Sequence, residues 1–208
     1  MKCIAKEIYH DVIECLVGAL EAKDLYVSGH SNRVADMSYD LARKIGIQGK
    51  ELEDIHIAAH LHDIGKIGVP DHILNKTEKL TMDEWLCIKK HPEMGYNILN
   101  RSDSLKDIAN IVLYHHERWD GKGYCKGLTG EHIPLGSRVI AICDAIDAMT
   151  SSRSYRSAFS WEKCKQEVEI NKGLQFDPYL VEEIGNLWDS WERLSKRTNK
   201  NLMDHLNI

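Results

Sequence analysis

Histidine and aspartate residues that could bind metal ions occur in five groups along this 208-residue sequence. Each group falls on a different predicted helix or at a helix end. The groups are His30, the pair His62 and Asp63, His91, the pair His115 and His116, and Asp144. Helical bundles build metal sites from side chains on facing helices, so a bundle could bring these groups to one point. Mixed imidazole and carboxylate ligands suit Mn, Fe or Zn better than Ca or Mg. The sequence therefore predicts a transition-metal centre.

The pair His62 and Asp63 lies in the segment AAHLHDIGKIGVP, which is apolar before the pair and rich in small or turn-forming residues after it. An aspartate at the end of an apolar helix is costly unless it is paired or binds a metal. Adjacent side chains on a helix point about 100° apart, so the pair can face two metals, and one carboxylate can bridge them. The alternative is that Asp63 caps the following helix.

Two neighbouring histidines, His115 and His116, precede a glycine-rich loop at 117–134. Such a pair could also lie on the surface, but the other groups need partners. Asp144 lies in VIAICDAIDAMTS, inside the most apolar helix, where an unpaired buried carboxylate would be protonated or would destabilise the fold. Either Asp144 or Asp147, three residues later, therefore needs a cation.

A two-metal centre suits phosphodiester hydrolysis, because ions about 3.5–4 Å apart lower the pKa of a bridging water and bind the phosphate oxygens. Lys66, three residues after Asp63, is placed to neutralise a phosphate or to assist proton transfer, unless it is an ordinary surface lysine.

His56 and His60 have the spacing of zincin ligands, but no glutamate follows His56. Six histidines are expected on the surface or in structural hydrogen bonds, namely His10, His56, His60, His72, His132 and His205.

Helical periodicity dominates the chain, and clean alternation of the kind found in strands is absent. Thr81 and Glu84 form a capping-box pattern at the start of a short helix. Longer helices are predicted at 4–22, 34–45, 50–62, 104–116, 135–150, 160–172 and 177–195. The pattern predicts one all-α domain of about seven or eight helices, in which the apolar helix 135–150 is buried.

The composition is that of a globular domain, with 43% hydrophobic residues and a net charge of −5. The negative charge argues against a nucleic-acid partner, which would favour a basic face. The six cysteines are scattered without CxxC spacing, which is typical of reduced thiols in the cytosol. No signal peptide or membrane-spanning run is present, so we expect a cytoplasmic chain with no membrane contact.

Taken together, these groups resemble the signatures of the HD-GYP family. The matching segments run through most of the chain and are DLYVSGHSNRVA at 24–35, LHDIGKIGVPDHIL at 61–74, HPEMGYNIL at 91–99, HHERWDGKGYCKGLTGEHIP at 115–134 and CDAIDAMTSSRSYR at 143–156. The resemblance implies an HD-domain helical bundle with additional C-terminal helices. It divides the chain into an N-terminal helix at 1–22, an HD-GYP domain at 23–190 and a C-terminal tail at 191–208. The family hydrolyses cyclic di-GMP to pGpG or GMP.

The resemblance also implies roles for individual residues. It makes His30, His62, Asp63 and Asp144 ligands of one metal, and Asp63, His91, His115 and His116 ligands of the second. It implies a catalytic set of Asp63, Lys66 and Asp147, and a substrate-binding set of Arg33, Lys66, Tyr124, Arg153 and Arg156. The expected cofactors are two divalent transition-metal ions, Fe or Mn, with Zn, Ni or Co as alternatives.

Several positions depart from the family pattern. Cys125 replaces the proline of the GYP tripeptide, which loosens the loop by about 0.4–1 kcal/mol through the entropy of the unfolded chain. That loop is linked in the family to substrate shape and to contacts with diguanylate cyclase domains, so such a domain is a candidate partner. Ser152 and Ser154 replace an Asp and a Pro, and Val27 replaces a Thr. Tyr26 occupies a position where some members carry a glutamate for a third metal, so we expect two metals.

Two other functions are compatible with the same motifs. The chain could hydrolyse another nucleotide, including a related cyclic dinucleotide such as cyclic GMP-AMP. It could instead be a non-catalytic module that binds cyclic di-GMP and signals by contact. The second alternative predicts missing metal ligands, whereas all seven are present here, so we expect activity. A homodimer is a further candidate assembly, and the sequence does not determine whether the N-terminal helix forms its interface.

Overall fold

The computed structural model describes residues 2–24, 29–152 and 157–195, with side chains from residue 11 onward. The described residues form ten α-helices and no strand. In chain order these are α1 (Lys2–Lys23), α2 (His30–Lys44), α3 (Gly49–Leu61), α4 (Asp71–Leu74), α5 (Met82–Ile88), α6 (His91–Leu99), α7 (Lys106–Leu113), α8 (Leu135–Thr150), α9 (Trp161–Ile170) and α10 (Pro178–Ile184). A further helical segment covers 187–195. The predicted all-α fold is confirmed.

Helix α8 lies at the centre of the core. Its residues Val139, Ile140, Ile142, Cys143 and Ile146 are fully buried, as the apolar pattern of 135–150 predicted. Helix α2 packs against both α3 and α8, and α7 packs against α3, α6 and α8. The central helices therefore converge around α8, which is the arrangement that a metal site built from several helices requires.

Two helix ends differ from the predictions. The helix predicted at 104–116 consists of a short 3-10 turn and α7, and it ends at Leu113, before the two histidines. The helix predicted at 177–195 is interrupted at Gly185, whose φ of 43° is disfavoured for residues with a side chain. The apolar residues keep helical spacing across the end of α7 and across Gly185, although the backbone leaves the helix at both places. The spacing alone therefore does not predict where these helices end.

Both ends of the described chain join the core. Ile13, Val17 and Leu20 of α1 pack into it, so the predicted N-terminal helix is part of the domain's core. Trp191 is also buried and donates a hydrogen bond to Asp40, so the core extends past the tail boundary predicted at residue 191. No helix within the described ranges combines the length and apolar character needed to cross a membrane.

A 3-10 turn, Ile64–Gly68, follows α3 and packs closely against α6. A Cβ atom at Gly65 would overlap the carbonyl oxygen of His91 and crowd the backbone nitrogen of Gly95. Only glycine permits this approach, which brings Asp63, just before the turn, next to His91 at the start of α6.

We expect Gly65→Ala to lower the free energy of unfolding by at least about 1–3 kcal/mol, because the added methyl group would have to push two backbone segments apart. Gly18→Ala is the matched control. Gly18 lies in α1, and a methyl group added there would meet no atom within 4 Å, so alanine should raise stability by about 0.5–1 kcal/mol. Urea unfolding of both variants measures the difference, and equal midpoints would contradict the close packing at Gly65.

Candidate metal centre

Asp63 lies between two groups of potential metal ligands. Its Oδ1 atom is 3.2 Å from Nε2 of His91, whereas its Oδ2 atom is 3.4 Å from Nε2 of His62 and 4.0 Å from Nε2 of His30. The carboxylate is buried, with 5% of the residue exposed. Each oxygen thus faces a different group, which is the arrangement that a bridging carboxylate needs.

The first group consists of His91, His115 and His116, and the second of His30, His62 and Asp144. Within each group, one ligand atom from every residue lies within 4.8 Å of the others. The first group comes from the start of α6 and the turn after α7, and the second from α2, the end of α3 and α8. The seven residues predicted as ligands are therefore brought together, although their role as ligands remains a prediction.

Three of the histidines are oriented by the ends of helices. The Nδ1 atoms of His62, His91 and His115 lie 2.7, 2.8 and 2.6 Å from the carbonyl oxygens of Ala59, Ile88 and Val112, respectively. Each carbonyl lies three residues earlier, in the last turn of a helix, where the backbone acceptors lack helical partners. A carbonyl can only accept, so each Nδ1 carries the proton and each Nε2 presents a lone pair.

These lone pairs point at other acceptors, an arrangement that fits bound cations. Nε2 of His91 and Nε2 of His115 are 3.3 Å apart, and in the tautomers just derived neither carries a proton. Nε2 of His62 is buried and makes no hydrogen bond, yet it faces the carboxylate of Asp63. Facing acceptors repel one another unless a cation lies between them. Neutral imidazole and carboxylate are also the ligand types that transition metals prefer. The site thus fits divalent metal ions.

His30 is held from both sides by aspartates of α8. Nε2 of His30 lies 3.4 Å from Oδ1 of Asp144, and Nδ1 lies 2.7 Å from Oδ2 of Asp147. Asp147 in turn accepts from Nε of Arg33 at 2.6 Å and from Nη2 at 3.0 Å. Arg33 also donates to Oγ of Ser151. Carboxylates behind a ligand histidine fix its orientation and raise its basicity.

This arrangement bears on the interpretation of two predicted residues. Asp147 was predicted to be catalytic and Arg33 to bind substrate, but both lie behind His30 and are buried, with 2% and 8% exposed. Asp147 contacts both His30 and Arg33, an arrangement suited to positioning the His30 ring. The catalytic role of Asp147 and the substrate contact of Arg33 stay predictions.

The electrostatics of the site follow from burial and from these contacts. Burial lowers the pKa of His30, but contacts with Asp144 and Asp147 outweigh it and raise the pKa to about 9. Burial and the neighbouring His91 lower the pKa of His116 to about 3. Burial alone would raise the pKa of Asp63, but Lys66 and His62 hold it well below its usual range. The first group is therefore neutral and the carboxylates are charged.

Sequence comparison identifies the family. A family model described as the HD domain matches residues 14–180. The chain belongs to the HD-domain family. Relatives include a 3'3'-cGAMP-specific phosphodiesterase from Vibrio cholerae, 39% identical over 89% of this chain and 36% of its own length. A cyclic di-GMP phosphodiesterase from Thermotoga maritima is 39% identical over 85% of this chain and 49% of its own length. This HD-domain chain thus spans half or less of the length of these two relatives.

A solved HD-GYP protein from Bdellovibrio bacteriovorus has the same fold, with a TM-score of 0.63. It is 21% identical and covers 78% of this chain and 52% of its own. At this identity the likeness shows a shared fold. The HD-domain match and the cyclic dinucleotide phosphodiesterases among the curated relatives support the HD-GYP resemblance of the motifs.

Two further residues with predicted roles, Lys66 and Tyr124, lie beside the potential metal ligands. Lys66 Nζ is 2.7 Å from Asp63 Oδ2 and 3.4 Å from Oδ2 of the buried Asp24. The Tyr124 ring stacks on His116, with ring centroids 4.8 Å apart. Both side chains therefore border the metal centre. Five residues named for predicted or motif roles lie outside the described ranges, namely Tyr26, Val27, Arg153, Ser154 and Arg156.

The loop that carries Tyr124 is anchored despite the loss of the family's proline. The buried Glu117 accepts hydrogen bonds from the backbone N–H groups of Lys126 and Gly127. Gly123 packs so closely on residues 116–118 that a Cβ atom would overlap their backbone. These contacts hold the loop beside His116 with Cys125 in place.

The motifs predicted neither the helix-end carbonyls nor the positioning role of Asp147. The predicted helices 50–62 and 104–116 include His62 and His115 at their ends, and no helix end was predicted before His91, so the free carbonyls were not identified. His60, expected on the surface or in a structural hydrogen bond, is buried, and its ring contacts that of His56 with centroids 4.7 Å apart.

Proposed function

We propose that this chain is a metal-dependent phosphodiesterase that hydrolyses a cyclic dinucleotide, with cyclic di-GMP as the substrate. The observation that carries the proposal is Asp63, whose two oxygens face two separate groups of three potential ligands. A carboxylate shared in this way is the hallmark of a two-metal site, which is suited to phosphodiester hydrolysis.

In this proposal the protein holds the ions and orients the substrate. Two divalent ions in such a site supply an activated water and neutralise the charge of the phosphate. The seven ligand residues fix the position of the site, and the helix-end carbonyls keep three of the histidines in the neutral tautomer that presents Nε2.

Lys66 has the position and charge for a role at the phosphate. Burial lowers its pKa, but Asp63 and Asp24 outweigh that effect and raise the pKa, so the ammonium group stays protonated. Its side chain is 19% exposed at the edge of the site. A protonated amine there can bind a phosphate oxygen and can donate a proton to the departing 3' oxygen.

Substrate orientation falls to residues around this centre. The Tyr124 ring is held between His116 and the Lys89 ammonium group, and its edge is a surface against which a nucleobase can pack. Arg153 and Arg156 remain predicted contacts to the phosphate or the guanine, since a guanidinium fork suits both.

Cyclic GMP-AMP is the second candidate substrate. Relatives named for cyclic di-GMP and for 3'3'-cGAMP are equally similar to this chain, at 39% identity each. The Gly-Tyr-Cys tripeptide differs from the family pattern on the wall of the site, so it is a candidate determinant of the choice. A parallel assay on both cyclic dinucleotides decides between them.

The test is a combined metal and product analysis. The chain is purified anaerobically, its metals are counted, and it is incubated with cyclic di-GMP or cyclic GMP-AMP in Mn²⁺ or Fe²⁺. We expect about two metals per chain and a linear dinucleotide or a mononucleotide by chromatography. Full chelation should abolish turnover. Bound metal with both substrates intact would point to another nucleotide, and a chain that binds no metal would contradict the proposal.

A further inference from the structure

A cavity of about 360 Å³ lies next to the metal centre and has no role in the mechanism above. It opens between the end of α5, the start of α6 and the loop that carries Tyr124. Its lining includes Leu86, Lys89, Lys90, Glu93, Tyr124 and Lys126. The volume falls within the range of roughly 300–1,000 Å³ that is usual for small-molecule sites.

The lining of this cavity is electropositive, with three lysines against one glutamate. The Lys89 ammonium group is held 5.6 Å from the centre of the Trp85 ring and 5.1 Å from that of Tyr124. Lys90 and Lys126 form no ion pair within the part of the chain that the structure describes. Uncompensated ammonium groups around a concave surface attract an anion, so we expect an anionic ligand.

The cavity and the metal centre share a wall. Tyr124 lines the cavity and stacks on His116, and Lys90 directly precedes His91 in the chain. A ligand in the cavity would therefore lie one side chain away from the potential metal ligands. A cyclic dinucleotide carries two phosphates and two nucleobases, so a molecule with one phosphate at the metal centre needs a second binding surface nearby.

We propose that this cavity holds the nucleotide of the cyclic dinucleotide that is not being cleaved. Its phosphate lies beside Lys90 and Lys126, and its base packs against Leu86 and the edge of the Tyr124 ring. The carboxylate of Glu93, on the same surface, suits the amino donors of a purine. The inference rests on the proposed function and adds to it the residues that recognise the second half of the substrate.

The test compares a cyclic dinucleotide with a diester that has no second nucleotide. We expect the double variant Lys90→Ala and Lys126→Ala to lower the ratio of kcat/KM for cyclic di-GMP to that for bis(p-nitrophenyl) phosphate by about fivefold or more. The change should lie in KM for cyclic di-GMP and shrink at high salt, because exposed charges are screened. Lys122→Ala is the matched control, since this lysine lies in the same loop, is 79% exposed and does not line the cavity. It should leave the ratio unchanged.

The outcomes separate this inference from the proposed function. If the wild-type chain hydrolyses cyclic di-GMP and the double variant keeps the same ratio, the cavity does not hold substrate. Equal losses on both substrates would mean that the two lysines act on the reacting phosphate, which both substrates share, and not on the second nucleotide, so the assignment would be wrong. A wild-type chain that cleaves only the simple diester would contradict the cyclic dinucleotide function, and the inference would fall with it.

Discussion

Replacing Asp63 with asparagine is expected to lower the metal content from about two ions to one or none and to reduce hydrolysis of cyclic di-GMP by more than about 100-fold. Loss of a residue that only supports a ligand typically costs 10–100-fold, and Asp63 faces both groups of potential ligands directly. Asparagine has the same shape but presents one weakly coordinating oxygen and an N–H donor, so it cannot bridge two cations. Metal analysis and product chromatography on the purified variant measure both effects.

Asp71→Asn is the control for this substitution. Asp71 lies in the same stretch of sequence, but its side chain is 77% exposed and contacts only Lys23 among the ion pairs of the described residues. The metal content and turnover of the Asp71→Asn variant should match those of the unsubstituted chain. An Asp63→Asn variant that retains two metals would show that another residue bridges them, and the central assignment of this site would then be wrong.

The sequence predicted which residues come together at the site better than it predicted the contacts among them. Each ligand group lies in a short motif, so residue type and neighbours were enough to select it. The choice between Asp144 and Asp147 was left open, because residues three apart share a helix face. In the structure both contact His30, Asp144 at Nε2 and Asp147 at Nδ1, and Asp144 belongs to a group of potential ligands. That division depends on where the His30 ring, which projects from α2, lies relative to α8. No local sequence pattern encodes this position.

The ends of the helices show a similar limit. The apolar pattern of 104–116 extends through the histidines, yet α7 ends at Leu113. The Val112 carbonyl, left without a helical partner, then serves as the acceptor for His115. Termination of the helix thus creates the acceptor that orients the ligand. Periodicity reports which face is buried and carries no information on which carbonyls are left free.

Asp147→Asn is expected to weaken metal binding at the group of His30, His62 and Asp144 by about 10–100-fold, although Asp147 faces none of the space between those ligands. The carboxylate holds the Nδ1 side of His30 and makes the ring a better donor at Nε2. An asparagine amide can accept from Nδ1 only by turning its N–H₂ group toward the guanidinium of Arg33. Titration of the metal-free variant with Mn²⁺ measures the affinity.

The same substitution should also destabilise the fold, because it removes the negative charge that accepts two hydrogen bonds from the buried Arg33. Breaking a buried pair costs about 3–5 kcal/mol, and the lower end applies here since the amide oxygen remains an acceptor. Adding Arg33→Met to Asp147→Asn separates the two effects. The double variant should recover stability in urea unfolding, because the guanidinium is no longer buried beside a neutral amide, while its metal affinity stays low. Ser151→Ala, which removes one hydrogen bond to Arg33, should change little. Recovery of metal affinity together with stability would mean that Asp147 acts only through folding and does not position His30.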